Sequence, residues 1–304
     1  MRSSDNLKGI PGTESGMIDG FAQRKLPGHG IEIDALIGGS GPPLLLLHGA
    51  PQTRVCWRQV APALAEHFTV VVPDLRGYGR SDKPEGGGDF SAYSKRTMAL
   101  DQIASMRALG FDRFDVAGHD RGGRVAYRLA LDHPDAVRRL AVLDIIPTLD
   151  AFENYECRAG YALWHWTLQS QPAPLPERMI GADPDYFMQV LFAAHTHEKF
   201  AFDEYSLSDY LSCMRDPATI HGMCEDYRSA WWVDRHTDAE DRGSRAIEVP
   251  TLVLWGANTV AARSPLETWR KWASDVRGEG LPSGHFLPEE APSETAAHLL
   301  NFFK

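Results

Sequence analysis

The chain has 304 residues, 43% of them hydrophobic, with a formal net charge of −10 and an isoelectric point near 5.6. That length fits one large domain or a domain with an insertion, and the acidic balance argues against nucleic acid or anionic membrane as a main partner. The four cysteines, Cys56, Cys157, Cys213 and Cys224, show no C-x-x-C pair, so neither a metal nor a disulfide framework is expected and a reducing compartment, the cytoplasm, is the default.

Residues 1–16 are rich in Gly, Ser and charge. They lack the apolar core of a signal peptide, so a flexible polar arm is expected, and no apolar run reaches transmembrane length. From about Gly30 to Ile37 the pattern alternates like an exposed strand, and Gly38-Gly39-Ser40-Gly41-Pro42-Pro43 breaks it. Leu44 to Leu47 is a continuous apolar run, as in a strand buried on both faces of a parallel sheet, and it ends in the turn His48-Gly49-Ala50-Pro51. Trp57 to His67 has helical spacing, Thr69 to Pro73 reads as the next buried strand, and Asp74-Leu75-Arg76-Gly77-Tyr78-Gly79-Arg80-Ser81 as a loop. Ala92 to Leu109 predicts a helix closed by Gly110.

Phe114 to Ala117 then predicts a strand, Gly118-His119-Asp120-Arg121-Gly122-Gly123 a sharp turn, and Val125 to Leu131 a helix. Leu140 to Leu143 is another buried strand, with Asp144 at its end. From about Thr148 to Glu248 the segment is helical, aromatic and proline-rich, and Thr251 to Gly256 resumes the sheet before Pro282-Ser283-Gly284-His285-Phe286 and a terminal helix. Strands alternating with helices predict an α/β protein with a mostly parallel, doubly wound sheet. Residues 1–147 and 249–304 form the expected core, and 148–248 an inserted helical cap.

The strand, glycine-flanked turn and helix around Asp120 match a nucleophile elbow with Asp in place of Ser. The plain alternative is an ordinary strand-to-helix turn. Asp120, Asp144 and His285 each follow a predicted strand, at the sheet edge where open α/β folds bind ligands. In that order they supply a nucleophile, an acid and a base. An ionised carboxylate attacks carbon unaided to form an ester, and His285, oriented by Asp144, then activates water to cleave it. Asp144 also reads as a strand-end cap. Asn258, in the loop after Trp255-Gly256, stands at the other place such enzymes keep the acid but is no carboxylate. Two arginines beside Asp120, Arg121 and Arg124, offer a positive site in an acidic protein.

His48-Gly49-x-Pro51, Asp74 to Gly79, Gly118 to Arg124 and Gly284-His285-Phe286 resemble the α/β-hydrolase superfamily, in its branch of epoxide hydrolases and dehalogenases. Asp120-Arg121-Gly122-Gly123-Arg124, Asp144-Ile145-Ile146-Pro147-Thr148, Trp164-His165-Trp166 and Cys224-Glu225-Asp226-Tyr227-Arg228 resemble the fluoroacetate dehalogenases. That resemblance covers nearly the whole chain after the arm. It implies that Arg121 and Arg124 clamp a substrate carboxylate, a planar-fork task, and that His165, Trp166 and Tyr227 surround the departing halide as neutral donors. It implies backbone N–H groups of Ala50 and Arg121 as the oxyanion site, no cofactor or metal, a small haloacid and water as partners, and a homodimer. Two departures are visible. Ala50 stands where the family commonly has Phe, and Phe192-Ala193-Ala194-His195 is small where it tends to have Trp; both imply a roomier pocket. Two other readings stay open: an epoxide hydrolase using the same Asp and His, and a non-catalytic binder of small carboxylic acids.

Overall fold

The computed structural model describes residues 17–154, 157–197, 200–257 and 265–304; residues 1–16 and Asn258 lie outside them. The chain enters through an edge hairpin, β1 (Ala22–Pro27) and β2 (Glu32–Gly38), and continues into β3 (Pro43–Leu47), the short helix α1 (Ala61–Ala65) and β4 (Thr69–Pro73). Helix α2 (Lys95–Ala108) leads to β5 (Phe114–His119), α3 (Asp120–Asp132) and β6 (Val137–Leu143). A helical stretch follows: α4 (Thr148–Glu153), α5 (Cys157–Ala162), α6 (Trp164–Gln169), α7 (Leu175–Ala182), α8 (Pro184–His195), α9 (Glu204–Met214), α10 (Pro217–Ser229) and α11 (Arg235–Asp241). The sheet resumes with β7 (Thr251–Gly256), α12 (Pro265–Trp269) and β8 (Val276–Leu281), and the chain closes with α13 (Leu287–Glu290) and α14 (Pro292–Phe303).

The eight strands form one sheet in the order β1-β2-β4-β3-β5-β6-β7-β8. β1–β2 and β2–β4 are antiparallel, and every pairing from β4 through β3 to β8 is parallel. The apolar runs predicted as buried strands sit at its centre: Leu44 to Leu47, Val70 to Val72 and Leu140 to Leu143 are all fully buried. Each such side chain contributes roughly 1.5–3 kcal/mol by leaving water. With helices covering both faces, a central strand has no solvent side, so its sequence need not alternate.

Two strands escaped the sequence pattern. β1 is almost wholly exposed, so nothing apolar marks it. β8 reads Val-Arg-Gly-Glu-Gly-Leu, a loop-like composition. It forms a strand because Gly278 lets it approach β7 closely, and a Cβ there would run into the backbone of Val253. The helix expected over Trp57 to His67 is a 3₁₀ turn at Arg54–Trp57 followed by the five-residue α1. Pro62, whose ring fits only the first turn of a helix, divides them.

Candidate active site

Asp120 sits at the first position of α3 with φ of +46°, a left-handed backbone that a non-glycine residue holds at a cost of order 1–3 kcal/mol. The glycines around it explain how the turn is made. A Cβ on Gly118 would meet the backbone of Gly122 and Gly123, one on Gly122 the carbonyl of His48, and one on Gly49 the Asp120 side chain itself. The carboxylate stands where the start of the helix favours negative charge. Ala50 N–H donates to its Oδ1 at 2.9 Å. Burial alone would raise the Asp120 pKa, but His285, His119, Arg121 and the Ala50 N–H outweigh it and hold the group at about 2. It is an ionised, nearly buried carboxylate.

The structure brings all three members of the predicted set together. His285 Nδ1 is 2.6 Å from Asp144 Oδ2, and its Nε2 is 3.7 Å from Asp120 Oδ2. Gly256 N–H donates to Asp144 Oδ1 at 2.9 Å, which orients the acid, and Asp144 also holds a positive φ of 51°. Burial opposes charging of the imidazole, but the Asp144 hydrogen bond and the charges of Asp144 and Asp120 win, and the His285 pKa is raised.

Three supports of His285 had no signal in the sequence. Its N–H donates to the carbonyl of His195 at 2.9 Å. Its carbonyl accepts from His119 Nε2 at 2.8 Å, so His119 carries its proton there, and burial keeps that ring neutral, with a pKa of about 4. Glu290 accepts from Gly284 N–H and Phe286 N–H, both at 2.8 Å, on either side of His285.

Arg121 is fully buried and already engaged. Its Nε donates to Asp226 Oδ2 at 3.0 Å, and its Nη2 donates to Asp226 Oδ1 and, at 2.9 Å, to the Asp226 carbonyl. Only Nη1 has no partner among the described residues. Arg124 donates from Nη1 to the Ile146 carbonyl and Thr148 Oγ1, both at 3.1 Å, and leaves Nε without a partner. No carboxylate among the described residues pairs with Arg124. Burial and the like charge of Arg121 lower its pKa, a field that an anion would relieve. Asp226 is the partner that sequence reasoning did not supply.

The three predicted halide donors also meet. The Tyr227 ring lies 6.0 Å from those of His165 and Trp166, and the guanidinium of Arg121 stacks 4.4 Å from Tyr227 and that of Arg124 4.7 Å from Trp166. Burial keeps His165 neutral and raises the Tyr227 pKa, so both are uncharged donors. Buried His165 Nδ1 has no hydrogen-bond partner among the described residues. The expectation that Ala194 widens this pocket needs correcting. The turn of α8 leaves Ala194 exposed and directs His195 inward, its ring 5.1 Å from His165 and 5.9 Å from His285. Ala50 is buried beside Asp120.

Away from this site, Glu177, His221 and Glu225 each place a ligand atom within 4.8 Å of one another. A cation is already present there: Arg228 Nη1 reaches Glu177 at 2.8 Å and Glu225 at 2.6 Å.

A family model for the α/β hydrolase fold matches residues 42–292. The chain belongs to the α/β-hydrolase family. It is 47% identical to a fluoroacetate dehalogenase from Burkholderia sp. over 94% of this chain and 95% of that one. It is 33% identical to a soluble epoxide hydrolase from Corynebacterium sp., over 90% and 94% of the two chains. Among solved structures, an α/β hydrolase from Nostoc superposes with a TM-score of 0.93 at 46% identity, covering 95% and 99% of the two chains. A mutant of a Pseudomonas aeruginosa protein, provisionally called an epoxide hydrolase and solved with bound MFA, superposes at 0.88 with 44% identity, covering 94% and 96%.

Proposed function

We propose that this hydrolase is a haloacetate dehalogenase, converting fluoroacetate or a related 2-haloacid and water into glycolate and halide. The observation that carries the reading is an ionised Asp120 beside two buried arginines that each keep a free N–H donor. The 47% identity to a fluoroacetate dehalogenase supports it.

Asp120 Oδ1 rests on the Ala50 N–H, which leaves Oδ2 to attack Cα of the haloacid. The Cα–O bond forms as the carbon–halogen bond breaks, and the halide leaves with the bonding pair toward His165, Trp166 and Tyr227. The substrate carboxylate lies on Arg121 Nη1 and Arg124 Nε. Water then gives a proton to His285 and attacks the Asp120 carboxyl carbon. The negative charge develops on Oδ1, where the Ala50 N–H already points and the Arg121 backbone N–H is the second donor. Collapse releases glycolate and restores the Asp120 carboxylate. No cofactor takes part in these steps. We read residues 148–248 as a cap that keeps bulk water from the displacement.

A homodimer in a reducing compartment, the cytoplasm, completes the reading. Cys56, Cys213 and Cys224 are free. Tyr161, Leu175, Met179 and Tyr186 expose large apolar surfaces on α5, α7 and α8, more than single scattered residues need explaining.

The epoxide reading stands second, for one specific reason. Because Asp226 neutralises Arg121, a neutral substrate would leave only Arg124 without a carboxylate partner among the described residues. The deciding test is ion chromatography of halide and glycolate after incubation with fluoroacetate and, separately, chloroacetate. Equimolar halide and glycolate, lost in Asp120→Asn, is the expected result. Styrene oxide turnover with no halide from either acid would overturn it in favour of the epoxide reading, and no turnover of any of these would favour a binder.

A further inference from the structure

The pairing of Arg121 with Asp226 raises a question about any anion bound there. An arginine neutralised by a buried carboxylate offers hydrogen-bond donors but little net charge. A third charge alters that balance. Lys95, at the first position of α2 and fully buried, places its ammonium on Asp226 Oδ1, the same oxygen that Arg121 Nη2 contacts. Tyr78 O–H donates to Oδ2 at 2.8 Å. Asp226 is therefore anchored from two sides without help from Arg121.

The groups around Lys95 are few. Its backbone N–H donates to Asp234 Oδ1 at 2.8 Å, and its Nζ is 4.0 Å from Asp234 Oδ2 and 3.5 Å from Met98 Sδ. Burial pushes the Asp234 acid up to about 6, which leaves it ionised at neutral pH; burial and the charge of Arg121 lower the Lys95 pKa, and the carboxylates of Asp226 and Asp234 oppose that shift. Counted with Arg124, the cluster carries three positive charges, on Lys95, Arg121 and Arg124, against two negative, on Asp226 and Asp234, a net of +1. Without Lys95 the two arginines and two carboxylates that remain sum to zero.

We propose that Lys95 and Asp226 are positioning residues for the anion clamp: Asp226 fixes the plane of the Arg121 guanidinium so that Nη1 is left for a carboxylate, and Lys95 keeps the clamp cationic. Neither residue touches the substrate. The geometry gives each a separate task. A bidentate carboxylate holds a guanidinium in one plane, which a point charge does not. The ammonium, three donors on a flexible stem, needs no such orientation and serves as a counter-charge. The arrangement also links three elements, because Lys95 belongs to α2, Arg121 to α3 and Asp226 to α10. Tyr227, the proposed halide donor, follows Asp226 directly, so the same anchor sets both ends of the substrate.

The inference rests on the haloacid reading and is tested without turnover. Binding of glycolate and of its neutral amide, glycolamide, is measured by calorimetry for the wild type, Lys95→Met, Lys95→Arg and Asp226→Asn, with the Tm of each. Lys95→Met is expected to weaken glycolate on the order of tenfold, about one factor of ten per 1.4 kcal/mol, while glycolamide changes little and Lys95→Arg restores glycolate binding. Asp226→Asn removes a negative charge, so net charge alone would tighten glycolate; the loss of orientation is expected to weaken it instead.

Tighter glycolate in Asp226→Asn overturns the positioning role. Equal losses for acid and amide in Lys95→Met, with a lowered Tm, overturn the electrostatic role and mark the cluster as structural. Should Asp226→Asn fail to fold, Lys95→Met still decides, because it leaves the Arg121–Asp226 pair intact. A wild type that binds glycolate but releases no halide would refute the haloacid reading while leaving these comparisons to be scored. A wild type that binds neither compound refutes the inference itself.

Discussion

His285 Nε2 stands 3.7 Å from Asp120 Oδ2, beyond hydrogen-bonding distance, while its Nδ1 is 2.6 Å from Asp144. The histidine is thus fixed by its acid and not by the nucleophile. An Asp–His pair in direct contact would compete with attack on carbon. In the mechanism we propose, this separation leaves Asp120 available for the displacement and the imidazole for the later hydrolysis.

It follows that the two half-reactions separate on substitution. His285→Asn should release one halide per active site and then stop, with the protein gaining the mass of one carboxymethyl group. Rapid-quench halide measurement together with intact-protein mass spectrometry checks this. A steady rate near the wild type would mean that another base serves. Asp120→Asn should give neither the burst nor the adduct.

The pH profile should divide in the same way. Asp120 is held at about 2, so displacement persists at mildly acidic pH. His285, with its pKa raised above 6.5, loses its function as a base when the pH falls through that value. The burst amplitude should stay constant while kcat falls about tenfold per pH unit on the acid side. Alkylation of Asp120 removes one of the charges that raise the His285 pKa, so the limb in kcat lies below that of the free enzyme. Asp144→Asn should lower it further. For stability the sign is opposite to activity: a raised imidazole pKa stabilises the fold fully below the unfolded value and ceases to do so as pH rises through the folded one.

Arg124→Met should raise KM for a haloacid by roughly 10- to 100-fold, from the loss of about 1.5–3 kcal/mol in hydrogen bonding to a charged group. Steady-state kinetics with chloroacetate provides the measurement. An unchanged KM would remove Arg124 from the clamp. A neutral epoxide, if turned over at all, should be far less sensitive.

Gly118→Ala should lower Tm by several degrees, since the new Cβ meets the backbone of the elbow helix and overpacking of this kind costs about 1–3 kcal/mol or more. Gly88→Ala, where a Cβ meets nothing within 4 Å, is the matched control and should leave Tm unchanged. Thermal denaturation followed by circular dichroism compares them. Equal melting of the two variants would show that the elbow tolerates a wider turn.

Much of this protein could be read from its amino acids because the relevant signals are local. Four-residue apolar runs mark buried strands, as at Leu44 to Leu47, and a strand running into Gly118-x-Asp120-x-Gly122 marks the elbow because only small residues let that turn close. Asp120 and Asp144 each follow such a strand, whereas His285 follows β8, which no apolar run marks and which reaches the same sheet edge by pairing parallel with β7. Where the local signal was misleading, packing overrode it: β8 pairs with β7 despite two glycines and two charges.

The tertiary structure alone decided who partners whom. Asp226 is 105 residues from Arg121 and lies on a helix where an acidic residue ordinarily faces water. Lys95 is 131 residues from Asp226, and only the packing of three helices makes the three charges one cluster. Likewise His195 could not be distinguished from its alanine neighbours until α8 turned one inward and the others out. Residue type and spacing determine which chemistry a chain carries. Burial determines which charges must find each other, because an unpaired ion inside a protein is far costlier than one in water.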